Sequence, residues 1–265
     1  MEDTRHLAIR DLRTGRIVAV SNPLPAGKWP FRTPPDETVV WRYGDYRKFN
    51  RLFDEKKFYF RRADKLADEF EGRFTAANAA GASELFGNAV QELNLGDLKK
   101  VREIQESHRS RTFLQCWHQN QREELRMWRE YTSGPESIVL RSTVGALAHA
   151  VGRRCHGFAV EYIVESFAIP EMHSLAPVAY KRKIFSFERE FRLVHILPPE
   201  ESVYLDHEQD FYRLIDGDPA LFAHELRFHP HATPEFKDRV HDDLTARGYR
   251  IPLRDSRADL PPPAH

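Results

Sequence analysis

Residues 183–197 read KIFSFEREFRLVHIL, and the fold turns on how this stretch is taken. Its aromatic and aliphatic content predicts one strand with a lead-in. Side chains alternate along an extended chain, which places Phe187, Arg189, Phe191 and Leu193 on one side and Glu188, Glu190, Arg192 and Val194 on the other. Two carboxylates then share a face in an otherwise hydrophobic segment. Packing has no use for them there, so they mark either a buried ion-pair network or a site.

Working outward, β-branched and aromatic runs at 38–43 (TVVWRY), 57–61 (KFYFR), 113–117 and 137–141 predict further strands. Asp45 and Asp64 are candidate caps of helices, the second carrying Leu66 and Phe70 and ending at Gly72. Helical spacing also marks 81–109, 122–131 and the segment after Ser142 or Thr143, with Val144, Leu147 and Val151 as its apolar face. Segments 158–164 and 177–180 lead into the opening stretch. Near the end, Thr233, Pro234, Glu235, then Phe236, Val240, Leu244 and finally Gly248 form a complete helix signature, with a last strand expected at 249–253. Strands and helices alternate without the regular βαβ period. The expectation is an α+β fold, a mixed and mainly antiparallel sheet flanked by helices.

Residues 6–12 and 16–20 flank Thr14-Gly15 and predict a hairpin, followed by a proline-rich linker. The expected organisation is an extension over 1–37, one α+β domain over 38–258 and a tail over 259–265. In all, 265 residues with 41% hydrophobic content suffice for a sizeable core. Lys plus Arg and Asp plus Glu both number 40, so net charge advertises neither nucleic acid nor an anionic membrane. Two cysteines, Cys116 and Cys155, make no disulfide framework. No apolar run approaches the roughly 20 residues of a membrane span, and the charged first residues do not read as a signal peptide. A soluble cytoplasmic protein without a membrane partner is expected.

Several pieces in order resemble the bacterial domain of unknown function 2971 family: Trp41-Arg42-Tyr43; Phe58-Tyr59-Phe60 with Asp68 to Gly72; Cys116-Trp117-His118 with Met127-Trp128 and Tyr131; Lys183 with Glu188-x-Glu190-Phe191-Arg192; and His229-Pro230 to Gly248. The resemblance spans roughly residues 39 to 258 by motif order. The chain departs from it where Leu66-Ala67-Asp68-Glu69 replaces the family's Asn-Asp-Pro lead, and where His118 stands for Ser or Thr. The resemblance directs attention to Trp117, His118, Trp128, Tyr131 and Arg192 as pocket residues. A conflict setting, phage defence or toxin-type, is what it implies for biology.

Arg42, then Ser142-Thr143, then Glu188-x-Glu190 is similar to the arginine, Ser/Thr, Glu-x-Glu order of NAD-consuming ADP-ribosyltransferases. The likeness implies an ADP-ribosyltransferase-like fold, NAD as co-substrate and a macromolecular acceptor, protein or nucleic acid. Departure of nicotinamide leaves an oxocarbenium-like ribosyl cation, which Glu190 would stabilise while Glu188 activates the acceptor. Arg42 would hold the diphosphate or ribose side, with Ser142 and Thr143 also binding the co-substrate, and Tyr43 and Tyr59 would stack on nicotinamide. The expected site is where Arg42, Tyr59, Trp117, Trp128 and Glu190 converge. Against this stands a structural account: Arg42 pairing with a core acid, Ser142 serving as a cap, and Glu190 neutralising Arg192 or Lys183. From a different class, a non-catalytic module would recognise protein or nucleic acid through aromatic and basic surface.

Other chemistries fit less well. His224 and His229 carry one residue too many between them for the zinc-protease motif, and Pro230 opposes a helix there. His229 and His231 with Asp206 or His207 read as solvated loop residues, so no metal is expected. Cys116 and His118 on one strand rarely make a nucleophile pair. Neither a dinucleotide-binding glycine motif nor a P-loop is present. Basic clusters at Arg109/Arg111, Arg153-Arg154 and 181–183 are candidate phosphate contacts or ordinary surface.

Overall fold

In a computed structural model the chain falls into two compact units: Met1–Arg32, Ala63–Arg111 and Val160–Ser186 form the first, and Thr33–Arg62, Thr112–Ala159 and Phe187–His265 the second. The structure describes residues 31–68, 70–73, 106–164, 167, 169, 175–202, 205 and 210–258, together with the backbone of 7–10 and 17–20. The expected helical stretch at 81–105 lies outside the described residues, as do Asp206, His207 and the tail over 259–265.

The second unit is built on a nine-stranded sheet. Its strands are β3 (Val39–Asp45), β4 (Lys57–Arg62), β5 (Thr112–Gln119), β6 (Ser137–Thr143), β7 (His156–Ala159), β10 (Glu190–Ile196), β11 (Tyr212–Asp216), β12 (Glu225–Phe228) and β13 (Leu253–Asp255). The order is β11-β4-β5-β3-β6-β12-β13, with β10 pairing β5 and β7. Every ladder is antiparallel except β12 with β13. The fold class is therefore α+β with a mixed, mainly antiparallel sheet, as the sequence reading has it.

β5 holds this sheet together. Along one edge it pairs β10 over its whole length, from Glu190↔His118 to Ile196↔Thr112. Its other edge is shared: Val40 and Trp41 of β3 meet Gln119 and His118, whereas Arg61 and Arg62 of β4 meet Leu114 and Phe113. Between these two ladders the carbonyl of Cys116 accepts a hydrogen bond from Arg42 Nη1 at 2.8 Å. A side chain thereby supplies what a strand neighbour would otherwise give.

One side of the sheet carries the main core, including Val40, Phe58, Phe60, Phe113, Trp117, Leu140, Phe191, Leu193 and Leu226. Onto it packs the helix Pro234–Ala246 through buried Phe236, Val240 and Leu244. Thr233 caps that helix by accepting the Phe236 N–H at 3.3 Å, and Gly248, at φ +79°, lets the chain leave it. Val144–Val151 is capped the same way, Thr143 accepting from Ala146 N–H at 3.3 Å. A smaller cluster of Val39, Trp41, Tyr43, Met127, Trp128 and Val139 covers the other side beneath the helix Leu125–Tyr131.

In the first unit, β1 (Leu7–Arg10) and β2 (Ile17–Val20) make the expected hairpin, and β8 (Glu161–Ile163) pairs β9 (Tyr180–Arg182) in parallel. The helix expected after Asp64 does not form beyond the 3-10 turn Ala63–Lys65. Asp68, inside that expected helix, instead grips Arg182 through both oxygens at 2.9 and 3.3 Å and caps the Phe70 N–H at 3.1 Å. Such local acceptor geometry competes with helix. The lead-in at 177–180 is the helical turn Ala176–Ala179 followed by β9. The lead-in at 158–164 ends β7 and supplies β8, in different sheets.

Candidate functional site

The opening stretch is not one strand. Residues Lys183–Glu188 form a 3-10 helix and the strand begins only at Glu190. Between them Arg189 takes φ +41°, in the left-handed region that side chains with a Cβ resist. The kink lets the Arg189 carbonyl accept Gln119 N–H at 2.9 Å while the Glu188 carbonyl turns to His118. Alternation therefore does not govern Glu188, although both acids are buried, at 4% and 5% exposure. Arg189→Gly is expected to stabilise the protein by up to about 1 kcal/mol, and Arg189→Val to destabilise it by about 1–2 kcal/mol. Urea denaturation of the two variants checks this; equal stabilities would remove strain from the account.

Glu188 Oε1 accepts the Tyr131 hydroxyl at 2.5 Å, and Tyr131 is 40% exposed, so this carboxylate is tied to a phenol that reaches solvent. His118 Nδ1 lies 2.6 Å from the Glu188 carbonyl. A carbonyl only accepts, so this nitrogen carries the proton. His118 Nε2 stands 3.3 Å from Glu124 Oε2. Tyr43 borders the same place: its hydroxyl accepts Glu124 N–H at 2.8 Å, and its ring meets His118 and Trp128 edge-on at 6.2 and 5.1 Å. Burial pushes the Tyr43 phenol upward.

Burial lowers the His118 pKa, opposed by the Glu188 carbonyl and the Glu124 carboxylate, while Arg189 adds to the lowering. His156 and His224 are lowered by burial as well, each with a nearby cation-forming group adding to it. A depressed histidine pKa means the unfolded chain binds protons first. Stability is then whole above the ordinary value of 6.5 and falls as pH drops through it toward the folded value. Denaturation midpoints should fall between pH 8 and 5, with a shallower fall in His118→Gln. A flat profile would overturn the assignment. Asp45 adds a loss at lower pH. Burial alone would raise it, but Ser133 and Lys48 hold it at about 2, so its contribution disappears as pH falls from the ordinary carboxylate range through that value.

Glu190 has a different fate. Its Oε2 meets Arg192 Nε at 2.5 Å, and Arg192 is wholly buried. The two are neighbours at i, i+2 on β10, beside His118 and Cys116 on β5. This is the ion-pair account for Glu190, whereas the Glu188 carboxylate meets the Tyr131 hydroxyl.

Of the residues singled out in sequence, Glu188, His118, Tyr131, Tyr43 and Trp128 come together, with Glu190 and Arg192 alongside. The expected convergence with Arg42, Tyr59 and Trp117 is not formed. Trp41, His118 and Glu190 stand in one row across β3, β5 and β10. Arg42 is one residue along from Trp41 and pairs Leu140, so its position belongs to the opposite side. Its guanidinium ends in the gap of the β5 edge, where burial lowers its pKa despite Cys116 and Tyr59 nearby. Trp117 is core, donating Nε1–H to Gln115 at 3.0 Å. Ser142 is fully buried on the core side beside Val40, and Thr143 is a helix cap. Tyr59 stacks on Tyr212.

Sequence reasoning missed Glu123 and Glu124. Acids ahead of a helix read as ordinary first-turn charges, yet neither caps it: Glu124 is the N-cap without a side-chain cap bond. Glu123 accepts from Trp128 Nε1 at 3.0 Å, Arg227 Nη1 at 2.9 Å, Ser256 Oγ at 2.9 Å and the Arg257 N–H. His224 and His229 flank strand β12, not a helix. Among the described residues no group of three or more His, Cys, Asp or Glu side chains is placed to hold a metal ion. Of the basic clusters, Arg109 is buried against the Glu71 carbonyl and Glu106, and Arg154 bonds Asp216 at 2.7 Å. Among the described residues no helix is long and apolar enough to cross a membrane. Comparison with protein-family models, curated proteins and solved structures finds no match to this chain.

Proposed function

We propose that the protein is a transferase acting on a nucleotide co-substrate, with ADP-ribosyl transfer from NAD to a macromolecule as the reaction, and that Glu188 is its catalytic carboxylate. The observation that carries the reading is the buried Glu188 carboxylate bonded to the solvent-reaching Tyr131 hydroxyl beside a histidine oriented by a backbone carbonyl. In such a reaction the C1′–nicotinamide bond breaks, an acceptor oxygen or nitrogen forms the new bond, and the acceptor's proton leaves. Glu188 suits stabilisation of the ribosyl cation, and the His118–Glu124 pair suits uptake of the proton. Arg42 and Ser142 have no part in this version, and Glu190 supports it only by holding Arg192. The phage-defence or toxin setting rests on the sequence resemblance alone.

Incubation with NAD and a set of protein and nucleic-acid acceptors, followed by nicotinamide release, tests it. Wild type should release nicotinamide, and Glu188→Gln should slow release at least about 100-fold, with the circular dichroism spectrum unchanged. Absence of nicotinamide release by wild type would sink the proposal and favour a non-catalytic recognition module. The closure of Glu190 by Arg192 already supports that second reading.

A further inference from the structure

The residue between the two buried acids is the one whose backbone and side chain serve different ends. Arg189 sits at φ +41°, its carbonyl accepting the Gln119 backbone N–H at 2.9 Å and the Gln119 Nε2 at 3.3 Å. Glycine would make this turn without strain, so a side chain with a Cβ here needs a role that offsets the strain. Packing is not that role. Glu188 and Glu190 on either side are buried, whereas Arg189 is exposed. Among the described residues, no group gives its guanidinium a hydrogen bond, an ion pair or a ring contact.

Neutralising the acids is not the role either, because each has another partner. Glu190 meets Arg192 at 2.5 Å, Glu188 accepts the Tyr131 hydroxyl at 2.5 Å, and Glu124 stands 3.3 Å from His118 Nε2. Arg189 is nevertheless near enough to His118 for its charge to lower that histidine's pKa, so the guanidinium and the acid cluster share one place.

We infer that the Arg189 guanidinium binds the phosphate groups of the nucleotide that this site takes. The inference rests on the reading above for the nucleotide, though not for the transfer step. A carboxylate set against a ribosyl carbon repels the diphosphate joined to the same ribose. A guanidinium beside it offsets that repulsion and donates paired N–H bonds to phosphate oxygens. Arg42, whose Nη1 bonds the Cys116 carbonyl at 2.8 Å, is not placed for this. The left-handed turn anchors Arg189 next to Glu188, and ligand contact is what the strain serves.

Isothermal titration with ADP and, separately, with adenosine tests this in wild type, Arg189→Gly, Arg189→Asn and Arg189→Lys. Asparagine is a second neutral variant that tolerates the left-handed region. Wild type should bind ADP more tightly than adenosine. Arg189→Gly and Arg189→Asn should each weaken ADP binding about 10- to 100-fold and leave adenosine unaltered, with Arg189→Lys between. The glycine variant should lose affinity for ADP while its urea midpoint rises, a combination that a structural role does not produce. ADP binding that depends on Arg189, without nicotinamide release by wild type, upholds this inference and sinks the transferase reading. Nicotinamide release by wild type, with ADP affinity unchanged in Arg189→Gly and Arg189→Asn, overturns this inference alone. No ADP binding by wild type, or an equal loss of adenosine binding in the variants, also overturns it.

Discussion

Glu190→Gln is expected to destabilise the protein by about 3–5 kcal/mol, because it removes the negative charge that meets the buried Arg192 guanidinium at 2.5 Å. Arg192 has no exposed surface and Glu190 has 5%, so water cannot replace the lost partner. The pair itself earns no such figure. Taking both ions out of water costs nearly what their attraction returns, so the double variant Glu190→Gln/Arg192→Met should recover much of the loss. Urea denaturation of the two single variants and the double variant closes this cycle. A Glu190→Gln loss below about 1 kcal/mol, or a double variant no better than the single, would show that the ion pair is not what holds this corner. The same experiment bears on function, since a catalytic Glu190 would lose activity without losing stability.

Glu123→Ala should be nearly as damaging, by about 3 kcal/mol. Its carboxylate, 7% exposed, gathers Trp128 Nε1, Arg227, Ser256 Oγ and the Arg257 N–H. Removing it strips a buried indole N–H of its acceptor and takes one partner from an arginine that keeps only Glu225 of the two. Arg227 also lies over the Trp41 ring at 5.0 Å, so the disturbance reaches the smaller cluster. Glu123→Gln, which keeps an acceptor but loses the charge, should fall between. Hydrogen exchange gives an independent readout: amides at 256–258 should lose protection in Glu123→Ala. Retained protection there would mean that the segment after β13 is held by other contacts.

Much of the architecture can be read from neighbours in the chain. The helix Pro234–Ala246 has its cap, proline, apolar triplet and terminating glycine within sixteen consecutive residues, and all of them serve as expected. The strands of β3, β4, β5 and β6 follow from β-branched and aromatic runs, and the mainly antiparallel sheet from their arrangement. Local propensity was outvoted around Asp68, where a carboxylate found Arg182 more than a hundred residues away.

The candidate site was legible as a set of residue types but not as a geometry. Glu188 stood out as an acid amid apolar neighbours, His118, Tyr131 and Trp128 came from the family resemblance and Tyr43 from its expected stacking role, and they do meet. That Arg42 misses them follows from one step along β3, since neighbouring residues on a strand face opposite sides and only pairing says which faces which. The left-handed turn at Arg189 is equally silent in the sequence, where an arginine gives no warning of positive φ. Glu123 and Glu124 look like surface charges until Arg227 and His118 arrive from distant strands.

The helix Pro234–Ala246 and the strands β3 to β6 were thus set by interactions spanning a few residues, which composition and spacing record directly. Whether the two acids of Glu188-Arg189-Glu190 make a site or an ion pair was decided by closure of the sheet. β5 brought His118 to the Glu188 carbonyl, and β10 put Arg192 two residues from Glu190, so one acid faces a phenol and the other a buried cation. The Glu188 partnerships depend on register between segments more than fifty residues apart, and no local signal carries register, whereas the Glu190–Arg192 pair lies two residues apart on one strand.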